Sequence, residues 1–595
     1  MKLIIPILKV IDLDDARLLR LAEALGVETE IVSLELGCRD AASFFHRIGK
    51  NRCDCITINS AVLGRWLATD EFPPELVPML YSCFPFVLAR GFTGAPFCRS
   101  ALRLLSAGRI QSIKPLAQSD ACYVVSKKFK EISGSFCGLS FGNANQTRDY
   151  VMATADGDGI DSLITVSREP VFARIQLNNA EVFFTSSQFV ADLDTKVNTN
   201  SVAEVFSCLM PPAMFLRHAF GEACWRPSAA KATLIIDDPP LWNSYGFLNY
   251  QELLAMMEKH NFHTSIAFIP YYYRKGQIGA IRLFRENPAR LSMCYHGNDH
   301  TAAELASNDI GLLNTILETA STRMEEHLKQ TGIAYDKVMV FPQGNFSREA
   351  MSVLRAQNFS ASVNSGHIPF HEHSPLTLAE MMTPSVLKYS DFPLFIRKYP
   401  IELTPEGIAY DVFFGKPLFL VEHHDGFKDP SLLLRAIDMI NDIVPEVEWV
   451  RLQNAVQSAY LTRRIGGCYE IRAFGNGGRI CNFSKEKRQY CVEWNNSAKF
   501  TVNSVCLDGL DQTGWTSENG LIRIHFELQP EEVRTFLLTY KNDFARSQPV
   551  STLTHTGQVH LRRKLSEFRD NYLSKNPALL YLAKSMYSLL RGNNG

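Results

Sequence analysis

The 595 residues are 46% hydrophobic and 21% charged, which supplies several packed cores and excludes a disordered or low-complexity chain. Lys and Arg total 61 against 62 Asp and Glu, a net charge of -1, so there is no long-range pull toward phosphate and no nucleic-acid partner is expected. No run reaches the roughly 20 unbroken apolar residues of a transmembrane segment.

The chain opens on an apolar run, residues 3–8, but Lys9, Asp12, Asp14 and Asp15 follow too soon for a secretory leader. It reads as a buried first strand of a cytoplasmic protein. Fourteen cysteines without one Cys-x-x-Cys pair read as reduced, mostly buried thiols and not as a disulfide framework or thiolate metal site. Residues 14–25 then set Leu18, Leu21, Ala22 and Leu25 at helical spacing, and Gly26 stops them. Residues 27–36 alternate as a strand, and the runs at 55–58, 122–126 and 182–185 are separated by helical or polar stretches. This βαβ succession through residues 1–230 predicts an open, mostly parallel α/β sheet.

From Ala232 the alternation restarts with a strand over 232–236 and continues to about residue 461. Helices are predicted at 252–260 and 310–330, the second with Leu312, Leu313, Ile316, Leu317 and Leu328 on its apolar side. After Gly466 and Gly467 the character changes to short β-branched and aromatic runs at 469–474, 490–494, 500–507, 521–528 and 533–540. Turn residues such as Gly475 to Gly478 separate them, the pattern of a small β-sandwich. The tail carries a helix start at Asn576-Pro577. Leu579, Leu582, Met586 and Leu589 then recur at helical spacing beside Lys584 and Arg591. That stripe suits docking on another domain or subunit of an oligomer, or peripheral contact with a membrane surface. The expected divisions are 1–230, 231–465, 466–545 and a helical tail at 546–595.

Eight of the fifteen histidines lie between His296 and His424, which directs attention to the central domain. Its first strand runs into Asp237-Asp238-Pro239-Pro240, and paired carboxylates at the end of a buried strand need a metal, a shared proton or donors. An acidic pair alone says little, since Asp14-Asp15 is another at a predicted helix start. His296 and His300 stand four residues apart, a spacing that brings both to one side of a helical turn and suits a divalent metal. Gly297 between them is not the Glu of a His-Glu-x-x-His protease. His367 and His371 repeat the spacing, and with His373 they form a rival cluster beside prolines, read as a solvated loop over the pocket. A third strand ends at Pro342 and Gly344, and a fourth delivers His423 and His424 at its C-terminal end, where barrels of alternating strand and helix carry their active sites.

The order of these four segments resembles the polysaccharide deacetylase (NodB-homology, carbohydrate esterase family 4-like) catalytic domain, over residues 232–427. The resemblance implies a distorted (β/α) barrel between the open sheet and the sandwich. It implies Asp237 as catalytic base, Asp238, His296 and His300 as ligands of a divalent metal, and His423 or His424 as general acid. Zinc is the expected ion, with cobalt, nickel and iron as alternatives. The implied activity is metal-dependent removal of an acetyl group from an N-acetylated sugar of a glycan or glycan precursor, so the partner is a carbohydrate substrate. A related amidase or esterase on the same barrel, or a non-catalytic glycan-binding or assembly protein, are the alternatives. This chain departs from the family at Gly297, where Ser or Thr is usual, and at Val340, where the family has the arginine that orients its base. Arg397 is the candidate to supply that charge from elsewhere, and the tryptophan-bearing fourth motif is not found. Residues 179–186 loosely resemble the late strand of a glutamine-amidotransferase-like domain. Its Gly-x-Cys-x-Gly nucleophile motif is not matched around Cys137, so no catalysis is expected in residues 1–230.

Overall fold

The computed structural model of the chain describes residues 1–7, 10–33, 54–60, 62, 76–117, 121–144, 148–155, 159–197, 204–301, 303–547 and 553–576. The predicted stripe from Leu579 to Leu589 lies outside the described residues. Among them, no helix is long and apolar enough to cross a membrane.

The N-terminal sheet has nine strands, and its first strand, Leu3–Ile7, is buried throughout. Five strands (Thr29–Ser33, Leu3–Ile7, Cys55–Asn59, Phe86–Arg90 and Ala180–Thr185) run parallel to their neighbours. The sheet then continues antiparallel through Glu169–Leu177, Asp161–Val166, Ala121–Val125 and Ser140–Ala144. The hairpin that joins Asp161–Val166 to Glu169–Leu177 has a local cause. Ser167 and Arg168 both adopt positive φ, 52° and 70°, the backbone that a two-residue hairpin between antiparallel strands needs. The acidic pair near the N-terminus is structural: Asp12 caps the helix Leu13–Ala24, and Asp14 and Asp15 both pair with the buried Arg90.

The central domain is a closed barrel of seven parallel strands: β1 (Lys231–Asp237), β2 (Thr264–Phe268), β3 (Leu291–Tyr295), β4 (Asp336–Val340), β5 (Ala361–Asn364), β6 (Leu394–Lys398) and β7 (Leu418–His423). Each pairs with the next, and β7 closes on β1 with Asp237 opposite His423. Strand side chains alternate between inside and outside. Ile235, Cys294, Val338, Val340, Val363, Phe395 and Phe419 fill the interior as one cluster. Leu234, Ile236, Met293, Met339, Leu394 and Leu420 belong to the larger core under the surrounding helices. Asp237, His296, Arg397 and His423 each lie an even number of residues beyond an interior side chain, so the same alternation aims them into the C-terminal mouth.

The helix Ile310–Thr331 is capped by Asp309, whose carboxylate accepts from Leu312 N–H, and ends at Gly332 with φ 71°. Its buried stripe is Leu313, Leu317, Ala320, Met324, His327 and Thr331. Leu328, assigned to the apolar side from its spacing, is 38% exposed. His327 takes the inward position because its Nδ1–H reaches the Tyr273 carbonyl at 2.8 Å. Beyond the barrel, two sheets built mainly from Tyr460–Ile465, Cys468–Ala473, Arg488–Asn495 and Leu521–Leu528 on one side, and Gly477–Cys481, Val502–Leu507 and Val533–Tyr540 on the other, form the sandwich. Ile471, Val492, Trp494, Val505, Ile522 and Leu538 lie in its core.

Truncating Leu317, fully buried, to Ala is expected to cost about 2–5 kcal/mol. Leu328→Ala should change stability by no more than about 0.5 kcal/mol. Denaturant midpoints of the two variants check the orientation of this helix.

Candidate active site

Asp237 is the last residue of β1 and faces the barrel interior. Asp238 would point the other way if the strand continued, but its φ of 78° turns the chain and brings it to the same pocket. Asp238 Oδ1 lies 3.1 Å from His296 Nε2 and 3.0 Å from His300 Nε2, yet it is buried without a hydrogen-bond partner. Among the described residues, these three form the one group of three whose ligand atoms all lie within 4.8 Å of each other. His296 Nδ1–H donates to the Val340 carbonyl at 3.0 Å, which leaves Nε2 free as a ligand atom, the arrangement metal-bound imidazoles adopt. Two imidazole nitrogens and one carboxylate oxygen, itself an unsatisfied buried acceptor, fit a divalent cation.

The two histidines meet without the helical turn expected of their spacing. The segment after β3 is an irregular loop wound around Glu304, whose carboxylate accepts N–H bonds from Asn298 (2.9 Å), Asp299 (3.1 Å), His300 (3.1 Å) and Thr301 (3.4 Å). Arg323 holds the loop from outside through Asn298 and Asp299. Gly297 stands at φ 65°, and a Cβ there would fall 1.9 Å from Glu304 Oε1 and 2.5 Å from Pro342 Cγ. The Ser or Thr usual in the resembling family has no room here.

Arg397, on the inner face of β6, donates to both oxygens of Asp237 at 2.5 and 2.6 Å. Both side chains are about 5% exposed or less. Val340 on β4 carries no charge, and the positive charge beside Asp237 comes from Arg397, two strands further round the barrel. Burial pushes Asp237 up, but the adjacent guanidinium outweighs it and holds the carboxyl below the usual range. At Asp238 burial is likewise outweighed, here by the two imidazoles, and the carboxyl sits well below that range. Both are therefore ionised at neutral pH.

His423 and His424 separate sharply. His423 Nε2 is 3.8 Å from Asp237 Oδ2 and its side chain is 37% exposed to the mouth, with its ring stacked beside Tyr399. His424 is buried and turns to the C-terminal tail, where its Nε2 lies 3.5 Å from Asp570. Gly246, at φ 56°, lets it in, since a Cβ there would lie 2.2 Å from His424 Nδ1. Asp570 also accepts from Tyr245 Oη–H at 2.6 Å and from Arg569 at 2.6 Å. Burial pushes Asp570 up, but His424, Arg569 and Tyr245 together outweigh it and hold its carboxyl at about 2. The Gly246 N–H donates to Asn571 Oδ1 at 3.0 Å, and Arg563 Nη2 lies 3.4 Å from both Nδ1 and the carbonyl of His300. The tail helix Leu553–Phe568 and the turn Arg569–Leu573 thus lie across the barrel mouth. Glu304, Arg563 and Asp570 carry no motif, and no sequence spacing links the tail to a barrel more than a hundred residues earlier. The rival histidines His367, His371 and His373 do not join a group of metal-ligand geometry among the described residues.

No family model matches the chain, and no curated protein matches it in sequence. Among solved structures the chain is similar to Agd3, described as a carbohydrate deacetylase, at 8% identity and a TM-score of 0.46, over 90% of this chain and 98% of that one. It is similar over its central part to a family 4 carbohydrate esterase from Streptomyces lividans in complex with acetate, at 12% identity and a TM-score of 0.24, over 37% of this chain and 92% of that one. A family 4 carbohydrate esterase from Bacillus anthracis gives 13% identity and a TM-score of 0.25, over 39% and 86%.

Removing the guanidinium in Arg397→Met should strand a buried carboxylate and cost about 3–5 kcal/mol. Pairing it with Asp237→Asn should recover much of that loss, and a double-mutant cycle from denaturant unfolding measures the coupling.

Proposed function

We propose that this chain is a metal-dependent hydrolase that removes an acetyl group from an N-acetylated sugar of a glycan or glycan precursor. One observation carries the reading: Asp238, His296 and His300 converge beside an ionised, arginine-clamped Asp237 and an inward-facing His423, all at the mouth of one barrel. Asp238, His296 and His300 would hold the ion, with zinc first by donor set. When bound, a divalent cation supplies Lewis acidity that brings the pKa of water from about 16 toward about 7 and polarises an acetyl carbonyl.

The residues of the chain do the proton work. Asp237, ionised and oriented by two hydrogen bonds from Arg397, accepts the proton of the attacking water. His423 stands on the adjacent strand at the same register, is open to the mouth, and delivers a proton to the departing amine nitrogen. His424 has the wrong surroundings for that step, since it is buried against Asp570 and Tyr245 and anchors the tail. Tyr399 beside His423 offers a flat ring at the entrance, a surface suited to a sugar face. A cytoplasmic setting belongs to the same proposal, supported by the twelve free cysteines among the described residues.

Acetate release from N-acetylated oligosaccharides, measured with metal content, tests the roles separately. Asp238→Ala should lose bound zinc and activity together. Asp237→Asn should keep zinc and lose about 10²–10⁴-fold in kcat. His423→Ala should slow turnover far more than His424→Ala. Full activity in both aspartate variants would overturn the assignment, and ammonia released in place of acetate would mark an amidase on the same barrel.

A further inference from the structure

The tail segment has two faces of opposite character. Val559, Arg563, Glu567 and Asp570 are buried against the barrel mouth. On the other side Leu561, Leu565, Phe568 and Tyr572 are 61%, 59%, 52% and 66% exposed, and their spacing of four, three and four makes one continuous stripe. Charge is sorted the same way. Both described carboxylates of the segment, Glu567 and Asp570, are buried, whereas the charged side chains at its surface, Arg562, Lys564, Arg569 and Lys575, are all cations, Lys564 and Arg569 reaching back to pair with Glu567 and Asp570. Two more large apolar side chains stand out at the same end of the barrel: Ile278, 86% exposed at the start of the helix after β2, and Ile401, 75% exposed in the turn after β6. Scattered single hydrophobics need no explanation, but an apolar stripe on a segment whose own exposed charges are all cations does.

We propose that this face docks on an anionic lipid bilayer, with the tail helix lying in the plane of the headgroups. Leu, Phe and Tyr side chains enter the acyl boundary while Lys and Arg meet lipid phosphates, the pattern of a helix that lies on a membrane and does not cross it. Sorting both carboxylates inward removes the like-charge repulsion that an anionic surface would otherwise meet. The sequence that follows supports the same sign, since residues 577–595 contain Lys584 and Arg591 and neither Asp nor Glu. Docking in this way sets the barrel mouth at the membrane surface, where a lipid-linked glycan is the form of substrate within reach; that consequence rests on the deacetylase reading, whereas the docking does not.

The test is co-sedimentation of the full chain with vesicles of phosphatidylcholine containing 30% phosphatidylglycerol, against phosphatidylcholine alone (about 0.1 M and 0.5 M salt). Binding to the anionic vesicles, weak binding to the neutral ones and loss at high salt are expected. The double variant L565S/F568S touches only the exposed stripe and should bind roughly tenfold more weakly with an unchanged thermal midpoint. Equal sedimentation with both lipids, or a variant that binds like the parent, would overturn the proposal. So would a dimer in sedimentation velocity that the same variant dissociates, because the stripe would then be covered by a second copy. Acetate release from a soluble oligosaccharide, measured in parallel, reports on the deacetylase reading whatever the vesicles do.

Discussion

Two adjacent carboxylates at the end of a buried strand carry a desolvation penalty that only nearby positive charge or donors can offset. The architecture around Asp237 and Asp238 answers that constraint in two different ways. Asp237 is held by a guanidinium in a two-bonded clamp, which fixes both its orientation and its ionised state. Asp238 is turned out of the strand direction by its positive φ and faces two imidazoles, with one oxygen left unsatisfied. One carboxylate is thereby tied to an arginine and its neighbour to a pair of imidazoles, although the two are chemically identical and adjacent in sequence.

Barrel closure makes this economical. Side chains on seven parallel strands alternate strictly, so once Ile235, Cys294, Phe395 and Phe419 are interior, the residues at even steps beyond them must meet at the mouth. That geometry explains how Arg397 reaches Asp237 from β6 although Val340 on β4 carries no charge. Both positions face the same cavity, so the charge can come from either strand. It also explains why neighbouring histidines differ so much, with His423 continuing the interior series and His424 falling on the opposite side, where Tyr245 and the tail receive it.

The tail adds a constraint that the barrel does not need for closure. Arg563 and Asp570 reach His300 and His424 from a helix whose outer face carries the exposed stripe, so one short segment joins the candidate site to the molecular surface. Access to the mouth and the position of the tail are therefore mechanically linked. Side chains on the inner face cannot move away from the site without carrying Leu565 and Phe568 with them.

Much of this was legible from residue order. Strand runs, helices such as the one at 310–330, the change of character after Gly467 and the four segments around Asp237, His296, Pro342 and His423 are local patterns, and local patterns follow from backbone sterics and hydrophobic periodicity. The irregular loop around Glu304 was not legible, because a carboxylate gathering four N–H groups leaves no periodic trace. Nor was the choice between His423 and His424, which depends on how β7 closes against β1. The pairing of Arg397 with Asp237 and of Asp570 with His424 spans 160 residues in one case and about as many in the other. Sequence by itself determined the elements and the chemistry available on them, because propensity and alternation act over a few residues. Tertiary structure alone decided which charges face each other, since burial and electrostatic pairing are properties of positions in space that chain order does not encode.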